Sequence, residues 1–332
     1  MEKINEFTKA FQETPILFSL IFAIVLIVGI VLVNKYEPFA NKPKPSVLDN
    51  RPVLWFVTDD QPNTRKWADF STRNSKQNNR GYSELSLKAT KQTQGKDFQV
   101  VHLNGRDKVI EIIKSYGKIV PENVQQLPVQ LWRAYVRSAL LANAGGLYVD
   151  GDSVLFIGPA IKPFIKDLPN ALFGINPDEP IASTNAENEN SYGPSPFIGY
   201  AQSPNQSVWK SAQSFWLDQF KKGPSSYSAL VASRADQKSM EEMRKEGIQV
   251  IRQAEGNRKK DNTYLNLYDL FARVPSNPDK SVEINSTAAY VSFDSDLLER
   301  SAQLSFILKL SPTQLDESDF LFVRLVKKAL NA

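Results

Sequence analysis

Hydrophobic residues are distributed unevenly along this chain of 332 residues. Residues 14–34 form 21 consecutive uncharged positions, with the sequence PILFSLIFAIVLIVGIVLV inside them, whereas the mean hydropathy of the whole chain is negative. A helix of about 20 apolar residues spans the hydrocarbon core of a bilayer. The pattern therefore predicts a transmembrane helix over residues 15–34, preceded by an N-terminal tail at residues 1–14.

A secretory signal peptide is the competing interpretation of this apolar run. Its hydrophobic region is usually shorter and ends at a cleavage site of small residues, whereas an Asn-Lys-Tyr sequence follows here. The next segment, residues 35–50, contains three prolines and no apolar periodicity, which predicts an extended linker. We therefore expect a single-span anchor and a linker, followed by a folded domain at residues 51–332.

Beyond residue 50 the hydrophobic pattern changes between strand and helix periods. Apolar runs predict buried strands at 52–60, 98–103 and 147–156, the last interrupted at an Asp-Gly-Asp sequence. Helical spacing predicts helices at 109–117, from 129 to a Gly-Gly pair, at 208–220, at 238–255, and after an N-cap at Ser311. This order is typical of an α/β domain.

Composition restricts the chemistry of the domain. Five lysines balance five acids in the first 50 residues, so the net charge of +4 belongs to the remaining 282 residues, too dilute an excess to predict nucleic-acid binding. The chain has no cysteine and one histidine, His102, which excludes disulfides and metal sites built on Cys or His pairs. A metal ion would therefore need oxygen ligands.

The best-placed oxygen ligands are Asp150 and Asp152, which flank Gly151 where the third predicted strand stops. The spacing alone is weak evidence, since residues 294–296 repeat it. In open α/β sheets, however, ligands gather outside the carboxyl ends of strands. Two carboxylates there can hold a divalent cation that stabilises a departing diphosphate. The alternative interpretation is an ordinary acidic turn.

Two arginines on the preceding helix add to this hypothesis. Arg133 and Arg137 are four residues apart and therefore share a helix face, and their helix leads directly into the acidic pair. A guanidinium group makes paired hydrogen bonds to a diphosphate that a lysine cannot match. The alternative for both arginines is a solvated or salt-bridged helix face.

The sequence RSALLANAGGLYVDGDSVLF, residues 137–156, resembles the sugar-binding region of DXD-containing glycosyltransferases related to glycosyltransferase family 32 and the capsular polysaccharide synthesis proteins. Arg137 matches the family arginine, Gly145–Gly146 its glycines, Tyr148 its strand aromatic, and Asp150 and Asp152 its metal motif. One departure is Ala134, which stands where the family has an Asp. Either the donor specificity differs, or another acid such as Asp59 or Asp60 serves instead.

Weaker similarities extend this resemblance along the chain. Residues 52–56 resemble the family strand beneath the nucleotide base, and residues 195–209 resemble its acceptor-side segment. Residues 306–312 resemble its terminal Lys-Leu-Ser element, which would bring Lys309 and Ser311 to the diphosphate. The alternative for these two residues is a capped helix start beside a solvated lysine.

The resemblance implies a GT-A-like fold, in which helices flank a Rossmann-like mixed sheet, and sugar transfer from a nucleotide-diphosphate donor with retention. It also implies Mn²⁺ or Mg²⁺ as cofactor, and a glycan, lipid or protein as acceptor. No catalytic base is assigned, since the departing phosphate oxygen can itself take the acceptor proton. The implied metal ligands are Asp150 and Asp152, and the implied donor-binding residues are Arg133, Arg137, Gly146, Tyr148, Asp150, Lys309 and Ser311.

Two other functions remain open at this point. The Asp-Gly-Asp sequence also resembles the first motif of haloacid-dehalogenase-type phosphohydrolases, although that motif normally lies near the start of its domain. A catalytically inactive, membrane-tethered protein that binds nucleotide sugars or glycans is the third candidate. Lysines and an arginine after the anchor favour a cytoplasmic domain by the positive-inside rule, with a Golgi-type lumenal domain as the alternative.

Several aromatic residues and the histidine are predicted to be structural. Trp55, Phe56 and Trp132 lie at strand or helix spacing, where aromatic side chains more often belong to the core than to a ligand site. His102 comes at the end of an apolar strand, which favours a packed or hydrogen-bonded role over a catalytic one.

Overall fold

The first two apolar runs of the domain form the strands β1 (Val53–Thr58) and β2 (Gln99–Asn104). The computed structural model describes residues 50–59, 79–118, 120–158, 161–180, 192–254, 256, 265, 267–271 and 288–331. The predicted tail, the transmembrane helix at 15–34 and nearly all of the linker lie outside these residues. No helix in the described part of the chain is long and apolar enough to cross a bilayer.

Helices and strands alternate through the first half of the domain, as the pattern predicts. Helix α1 (Gly81–Gln94) lies between β1 and β2, and α2 (Arg106–Ser115) and α3 (Val129–Asn143) separate β2 from β3 (Gly146–Asp150). The further elements are β4 (Val154–Phe156), α4 (Lys162–Ile165), β5 (Asn170–Pro180), β6 (Tyr192–Ala201), α5 (Ser207–Lys221), α6 (Tyr227–Ala232), α7 (Ala235–Lys245), β7 (Gln249–Ile251), α8 (Leu267–Phe271), β8 (Tyr290–Ser292), α9 (Ser295–Arg300), α10 (Pro312–Asp316) and α11 (Leu321–Leu330).

Six of these strands form one mixed sheet in the order β2-β1-β3-β6-β5-β7. Strand β1 is parallel to both β2 and β3, β5 is parallel to β7, and only β6 runs antiparallel to its neighbours. The described elements belong to one compact unit, Arg51–Ala332. The chain is therefore a mixed α/β protein whose mostly parallel sheet is compatible with a Rossmann-like fold, so the α/β class is confirmed and the GT-A-like form of the fold stays a prediction.

The third predicted strand is divided between two sheets. Strand β3 joins the main sheet, whereas β4 pairs antiparallel with β8 in a separate two-stranded sheet. The Asp-Gly-Asp sequence between them is the point at which the chain leaves the main sheet. This explains why the apolar run is interrupted there.

Two predictions near the C-terminus have different outcomes. The helix predicted at 238–255 is wrong in its second half, because Gly247 has a φ of +95° and the following residues form β7 beside β5. A positive φ ends a right-handed helix and is readily adopted by glycine. The N-cap prediction at Ser311 is confirmed, since its side chain accepts from the backbone N–H of Gln314 in a capping box.

Candidate functional site

The carboxyl ends of three parallel strands bring the acidic residues of the site together. In the register of the sheet, Thr58 at the end of β1 faces Asn104 at the end of β2, and Val57 faces Asp150 at the end of β3. Asp59 follows β1 directly. The predicted position of the acidic pair at this edge is therefore confirmed.

The Gly-Gly pair before β3 is required by its backbone conformation and by its close approach to β1. Gly145 and Gly146 have φ values of +70° and +93°, and a Cβ on Gly146 would lie 2.3 Å from the carbonyl oxygen of Val53. The indole Nε1 of Trp55 donates a 2.8 Å hydrogen bond to the carbonyl of Gly145. The glycines thus let β3 enter the sheet close to β1. This contact with β1 accounts for Gly146, whose predicted role in donor binding stays a prediction.

The glycine between the two acids is also fixed by packing. A Cβ on Gly151 would lie 2.2 Å from the ring of Phe56, and the Gly151 N–H donates a 2.7 Å hydrogen bond to Val57. Phe56 is fully buried on β1. Any larger residue at position 151 would push the acidic turn away from β1. The contact with the ring of Phe56 therefore fixes the position of Asp150 and Asp152 relative to β1.

Asp152 is held by donors from three parts of the chain. Its Oδ2 accepts hydrogen bonds from the Asp59 backbone N–H at 2.8 Å and from Nη1 of Arg80 at 2.9 Å. Its Oδ1 accepts one from the hydroxyl of Ser83 at 2.5 Å. Arg80 also donates to the carbonyl of Asp59 and has a left-handed backbone at the start of α1. Arg80 and Ser83 therefore tie α1 to the acidic turn.

Asp150 is buried and paired with Arg133. Its Oδ2 forms an ion pair with Nε of Arg133, and its Oδ1 accepts a 3.1 Å hydrogen bond from the backbone N–H of Asp152. The pKa of Asp150 is raised to about 7, mainly by burial and also by the carboxylates of Asp152 and Asp296, while the charge of Arg133 opposes the rise. Arg133 is therefore the group that most favours the charged form of Asp150.

Arg133 connects the predicted acidic pair to the second Asp-x-Asp sequence of the chain. Its Nη1 lies 3.2 Å from Oδ1 of Asp296, and its Nη2 donates a 2.6 Å hydrogen bond to the hydroxyl of Ser295. Burial alone would lower the pKa of Arg133, but the carboxylates of Asp150, Asp296, Asp294 and Asp152 raise it well above its usual value. The salt-bridged alternative for Arg133 is therefore what the structure contains.

The segment 294–296 enters the site through further contacts. The hydroxyl groups of Ser153 and Ser295 lie 2.9 Å apart, and Gln130 donates a 2.8 Å hydrogen bond to Asp296. The carboxylate of Asp294 caps the first turn of α9 by accepting from the N–H of Asp296 at 2.9 Å. From the sequence, this segment is only a second occurrence of the Asp-x-Asp spacing, with no predicted role in the site.

Arg137 is bound away from the acidic pair. Its Nη1 donates a 2.6 Å hydrogen bond to the carbonyl of Pro196, and its Nη2 forms a 2.6 Å ion pair with Asp236 on α7. Its Nε is buried without a hydrogen-bond partner among the described residues. The guanidinium group therefore does not contact Asp150 or Asp152, and the donor-binding role of Arg137 stays a prediction.

Tyr148 and Ala134 lie in the core beneath the site. Tyr148 is 1% exposed, and burial raises its pKa well above the usual value, with Asp150 adding to the shift. Ala134 is fully buried on α3, and its carbonyl accepts a 2.9 Å hydrogen bond from Ser138. A carboxylate at position 134 would have to enter this packed interior, and the predicted role of Tyr148 in donor binding stays a prediction.

Asp59, a candidate substitute for the missing family Asp, forms an ion pair with Arg106. Nη2 of Arg106 lies 2.9 Å from the Asp59 carboxylate, and its Nε lies 3.2 Å from both carboxylate oxygens. Arg106 also donates to two carbonyls before α3 and lies 4.9 Å above the ring of Trp132. The pair is buried and fixes the end of β1 to α3. Asp60 lies outside the described residues.

Lys309 and Ser311 lie beside the segment that carries Arg80. Asn79 donates hydrogen bonds to the carbonyls of Leu308 at 3.0 Å and Lys309 at 2.7 Å, and Gly81 packs against the backbone of Ser311. The Ser311 hydroxyl is used in the capping box, and Lys309 is exposed. The structural alternative for Ser311 is confirmed, while a role for Lys309 toward the diphosphate stays a prediction.

The three aromatic residues lie in the core and the histidine is hydrogen-bonded, as predicted. Trp55, Phe56 and Trp132 are at most 2% exposed and belong to the core. The hydroxyl of Thr58 lies 3.0 Å from Nε2 of His102 and donates a 3.0 Å hydrogen bond to Asn104, so this arrangement assigns the proton to Nε2 of the ring. Burial lowers the pKa of His102.

A separate cavity lies between α5, α6 and α7, with a volume of about 430 Å³. Its lining combines Val208, Phe215 and Met243 with the charged side chains of Lys238 and Glu242. Helix α7 also carries the partner of Arg137. Val208 belongs to the segment that resembles the acceptor side of the family.

Comparisons with known proteins identify no relative of this chain. No family model, no curated protein and no solved structure matches the chain. The function of the chain is therefore inferred from the residues of the site and from the local sequence resemblance.

Proposed function

We propose that this chain is a membrane-anchored glycosyltransferase that moves a sugar from a nucleotide-diphosphate donor to a glycan, lipid or protein acceptor. The observation that carries the proposal is the position of Asp150-Gly151-Asp152 at the carboxyl edge of parallel β1, β2 and β3. Ligands of open α/β sheets gather at such an edge. The resemblance of residues 137–156 supports the same function. The GT-A-like form of the fold and the anchor at 15–34 are parts of the proposal.

The chemistry of this reaction needs no base from the protein. With retention, the bond between the anomeric carbon and the departing diphosphate oxygen breaks, and an acceptor oxygen forms a bond to the same carbon. The proton of the acceptor hydroxyl passes to an oxygen of the departing phosphate. The task of the protein is then to hold the diphosphate and to stabilise its developing charge.

Arginine and lysine side chains of the described site can perform that task. Arg80 stands at the outer side of the acidic turn, with 17% of its side chain exposed, compared with 4% for Arg106 and 9% for Arg133. Its guanidinium group can donate paired hydrogen bonds to phosphate oxygens. Lys309 is exposed on the neighbouring segment and adds a second positive charge.

The donor set of the site does not fit a divalent cation as it is arranged. Both oxygens of Asp152 accept hydrogen bonds, and Oδ1 of Asp150 accepts one from the backbone. Oδ2 of Asp150 is buried without a hydrogen bond among the described residues, and its position toward the interior is taken by the ion pair with Arg133. A Mn²⁺ or Mg²⁺ ion needs carboxylate oxygens that face an open position. The expectation of a metal cofactor therefore stays a prediction, and no step of the mechanism depends on it.

Release of a nucleoside diphosphate from a panel of nucleotide sugars tests the proposal. The detergent-solubilised full chain is incubated with each donor, with and without acceptor, and the released nucleoside diphosphate is quantified. Asp152→Asn removes the charge that holds Arg80 and should abolish release, whereas Asp218→Asn on the exposed face of α5 should leave it unchanged. Phosphate release from a phosphomonoester instead would indicate the dehalogenase-type phosphohydrolase.

A catalytically inactive binding protein is the second candidate, and one observation favours it. Both carboxylates of the motif are engaged by the protein itself, and the position of the family Asp is a buried alanine. Nucleotide-sugar binding measured by calorimetry, together with no turnover of any donor in the panel, would identify this alternative.

The side of the membrane on which the domain lies is part of the proposal. The basic residues that follow the predicted helix favour the cytoplasmic side, and many anchored glycosyltransferases lie in the lumen instead. Protease digestion of sealed vesicles distinguishes the two orientations. A domain that is degraded without detergent is on the outer, cytoplasmic side of microsomal vesicles.

A further inference from the structure

The guanidinium group of Arg133 fills the space between the two Asp-x-Asp segments. Its Nε forms an ion pair with Asp150 and its Nη1 forms one with Asp296, and its Nη2 donates a hydrogen bond to the hydroxyl of Ser295. The guanidinium carbon also lies 5.7 Å from the centre of the Phe197 ring. Arg133 is only 8% exposed, so its position is fixed from several sides.

The carboxylates around Arg133 are those that a metal ion would need. Asp150 and Asp296 bind the guanidinium directly, and Asp294 and Asp152 lie close enough for their charges to act on it. A divalent cation at this place would require the same oxygen atoms. Arg133 and a metal ion therefore exclude each other.

The other acid of the motif is satisfied from the opposite side. Asp152 accepts from the Asp59 backbone, Ser83 and Arg80, and it is 2% exposed. Arg80 in turn lies at the solvent side of the turn, as its greater exposure indicates. The site thus has one inner arginine that neutralises Asp150 and Asp296, and one outer arginine that neutralises Asp152.

We propose that the resident cation of the Asp150/Asp152 site is the Arg133 guanidinium group, and that the wild-type chain binds neither Mn²⁺ nor Mg²⁺ there. The consequence of this assignment for catalysis rests on the glycosyltransferase function proposed above. The donor diphosphate then meets Arg80 at the outer side of the site, and sugar release proceeds equally well in the presence of a chelator. Arg133 acts as a positioning residue, because it holds the acidic turn and does not contact the diphosphate.

Mn²⁺ binding to the full chain, measured by the electron paramagnetic resonance signal of free Mn²⁺, tests this proposal without any substrate. We expect no site in the wild-type chain, and one site per chain in Arg133→Met, where Asp150 and Asp296 lose their arginine. Arg324→Met, which removes an exposed arginine on α11, is the matched control and should bind no Mn²⁺. Wild-type binding of one Mn²⁺ that Asp152→Asn abolishes would overturn the proposal.

Thermal melting keeps the test decisive if Arg133→Met is unstable. The melting temperature of this variant should rise by roughly 5 °C on addition of saturating Mn²⁺, whereas that of the wild type and of Arg133→Lys should not change. Arg133→Lys keeps the positive charge among the acids. A folded Arg133→Met chain that gains neither Mn²⁺ binding nor this shift would show that Arg133 does not fill a metal position.

The chelator experiment separates this inference from the proposed function. Equal release of nucleoside diphosphate with and without EDTA supports both. Release that stops in EDTA and returns with Mn²⁺ would overturn the inference and leave the glycosyltransferase proposal intact. If no donor is turned over, the glycosyltransferase proposal fails, and the Mn²⁺ measurements still decide whether Arg133 is the resident cation.

Discussion

Ser153 and Ser295 are 142 positions apart in sequence, and their hydroxyl groups lie 2.9 Å apart in the structure. Ser153 directly follows the first Asp-x-Asp sequence of the chain, and Ser295 is the middle residue of the second. Together with the bridge through Arg133, this contact joins the end of the main sheet to α9. The acidic edge is therefore a shared feature of two distant segments and not a local turn.

Removing the charge of Asp152 should abolish activity while the fold remains. Asn keeps the shape of the side chain, but it cannot bind Arg80 as an ion pair, so we expect release of nucleoside diphosphate to fall by about 100-fold or more. Steady-state kinetics with the best donor of the panel measures this loss. A circular dichroism spectrum like that of the wild type confirms folding, and an unimpaired Asp152→Asn would remove the site assignment.

The buried pair of Arg106 and Asp59 should stabilise the domain strongly. Arg106→Met leaves the Asp59 carboxylate buried without its main partner, and breaking such a pair costs about 3–5 kcal/mol of unfolding free energy. Chemical denaturation measures the change. Lys221→Met removes an exposed ion pair on α5 and should change stability by less than about 0.5 kcal/mol.

The double variant tests the reason for that loss. Asp59→Asn combined with Arg106→Met removes both charges, so it should be more stable than Arg106→Met alone. Equal or lower stability of the double variant would contradict the assignment of the loss to an unpaired buried charge.

Gly151 should tolerate no side chain while Phe56 is present. A Cβ at this position would lie 2.2 Å from the ring, so Gly151→Ala should destabilise the domain by about 1–3 kcal/mol through overpacking. Gly223→Ala is a control with nothing within 4 Å and a positive φ, and we expect a loss of about 1 kcal/mol from backbone strain alone.

The Phe56 ring can be tested as the cause of this loss. In a double-mutant cycle with Phe56→Leu, the cost of Gly151→Ala should become smaller, because the smaller side chain leaves room for the methyl group. Additive effects of the two substitutions would show that the ring does not set the position of the acidic turn.

His102 should titrate below its ordinary pKa of 6.5. Burial disfavours the imidazolium, Lys108 and Lys91 lower the pKa further, and Asp152 opposes them. Because the folded state then binds fewer protons than the unfolded state, His102 should reduce stability as the pH falls below about 6.5 and have no effect above it.

The single histidine makes this prediction simple to measure. One imidazole resonance followed by NMR reports the pKa directly, and denaturation of the wild type and His102→Gln at several pH values reports the stability difference. A pKa at or above 6.5, or a wild type that becomes relatively more stable toward acid, would contradict the buried environment of His102.

The sequence predicts those parts of the fold that depend on local patterns. Apolar runs locate β1 and β2, the helical stripe and the glycines locate α3 and its end, and the strand end locates Asp150 and Asp152. Ser311 is found because its N-cap pattern is local as well. These features depend on residues within a few positions of one another.

The remainder of the site depends on contacts between distant segments. Arg80 and Ser83 come from a polar stretch without a pattern that points to Asp152, and Asp296 is separated from Arg133 by more than 160 residues. No spacing rule relates such positions. The incorrect second half of the helix at 238–255 has a local cause, since the positive φ of Gly247 ends the helix although the charged periodicity continues past it.

A crystal structure of the full chain with a donor nucleotide bound would show directly where the diphosphate binds. We expect the diphosphate at the carboxyl edge of β1 and β3, with its oxygens within hydrogen-bond distance of Arg80, beside Asp152 and near Lys309. We also expect Arg133 to stay bound to Asp150 and Asp296. A diphosphate bound elsewhere, for example in the cavity between α5 and α7, would contradict the proposed site.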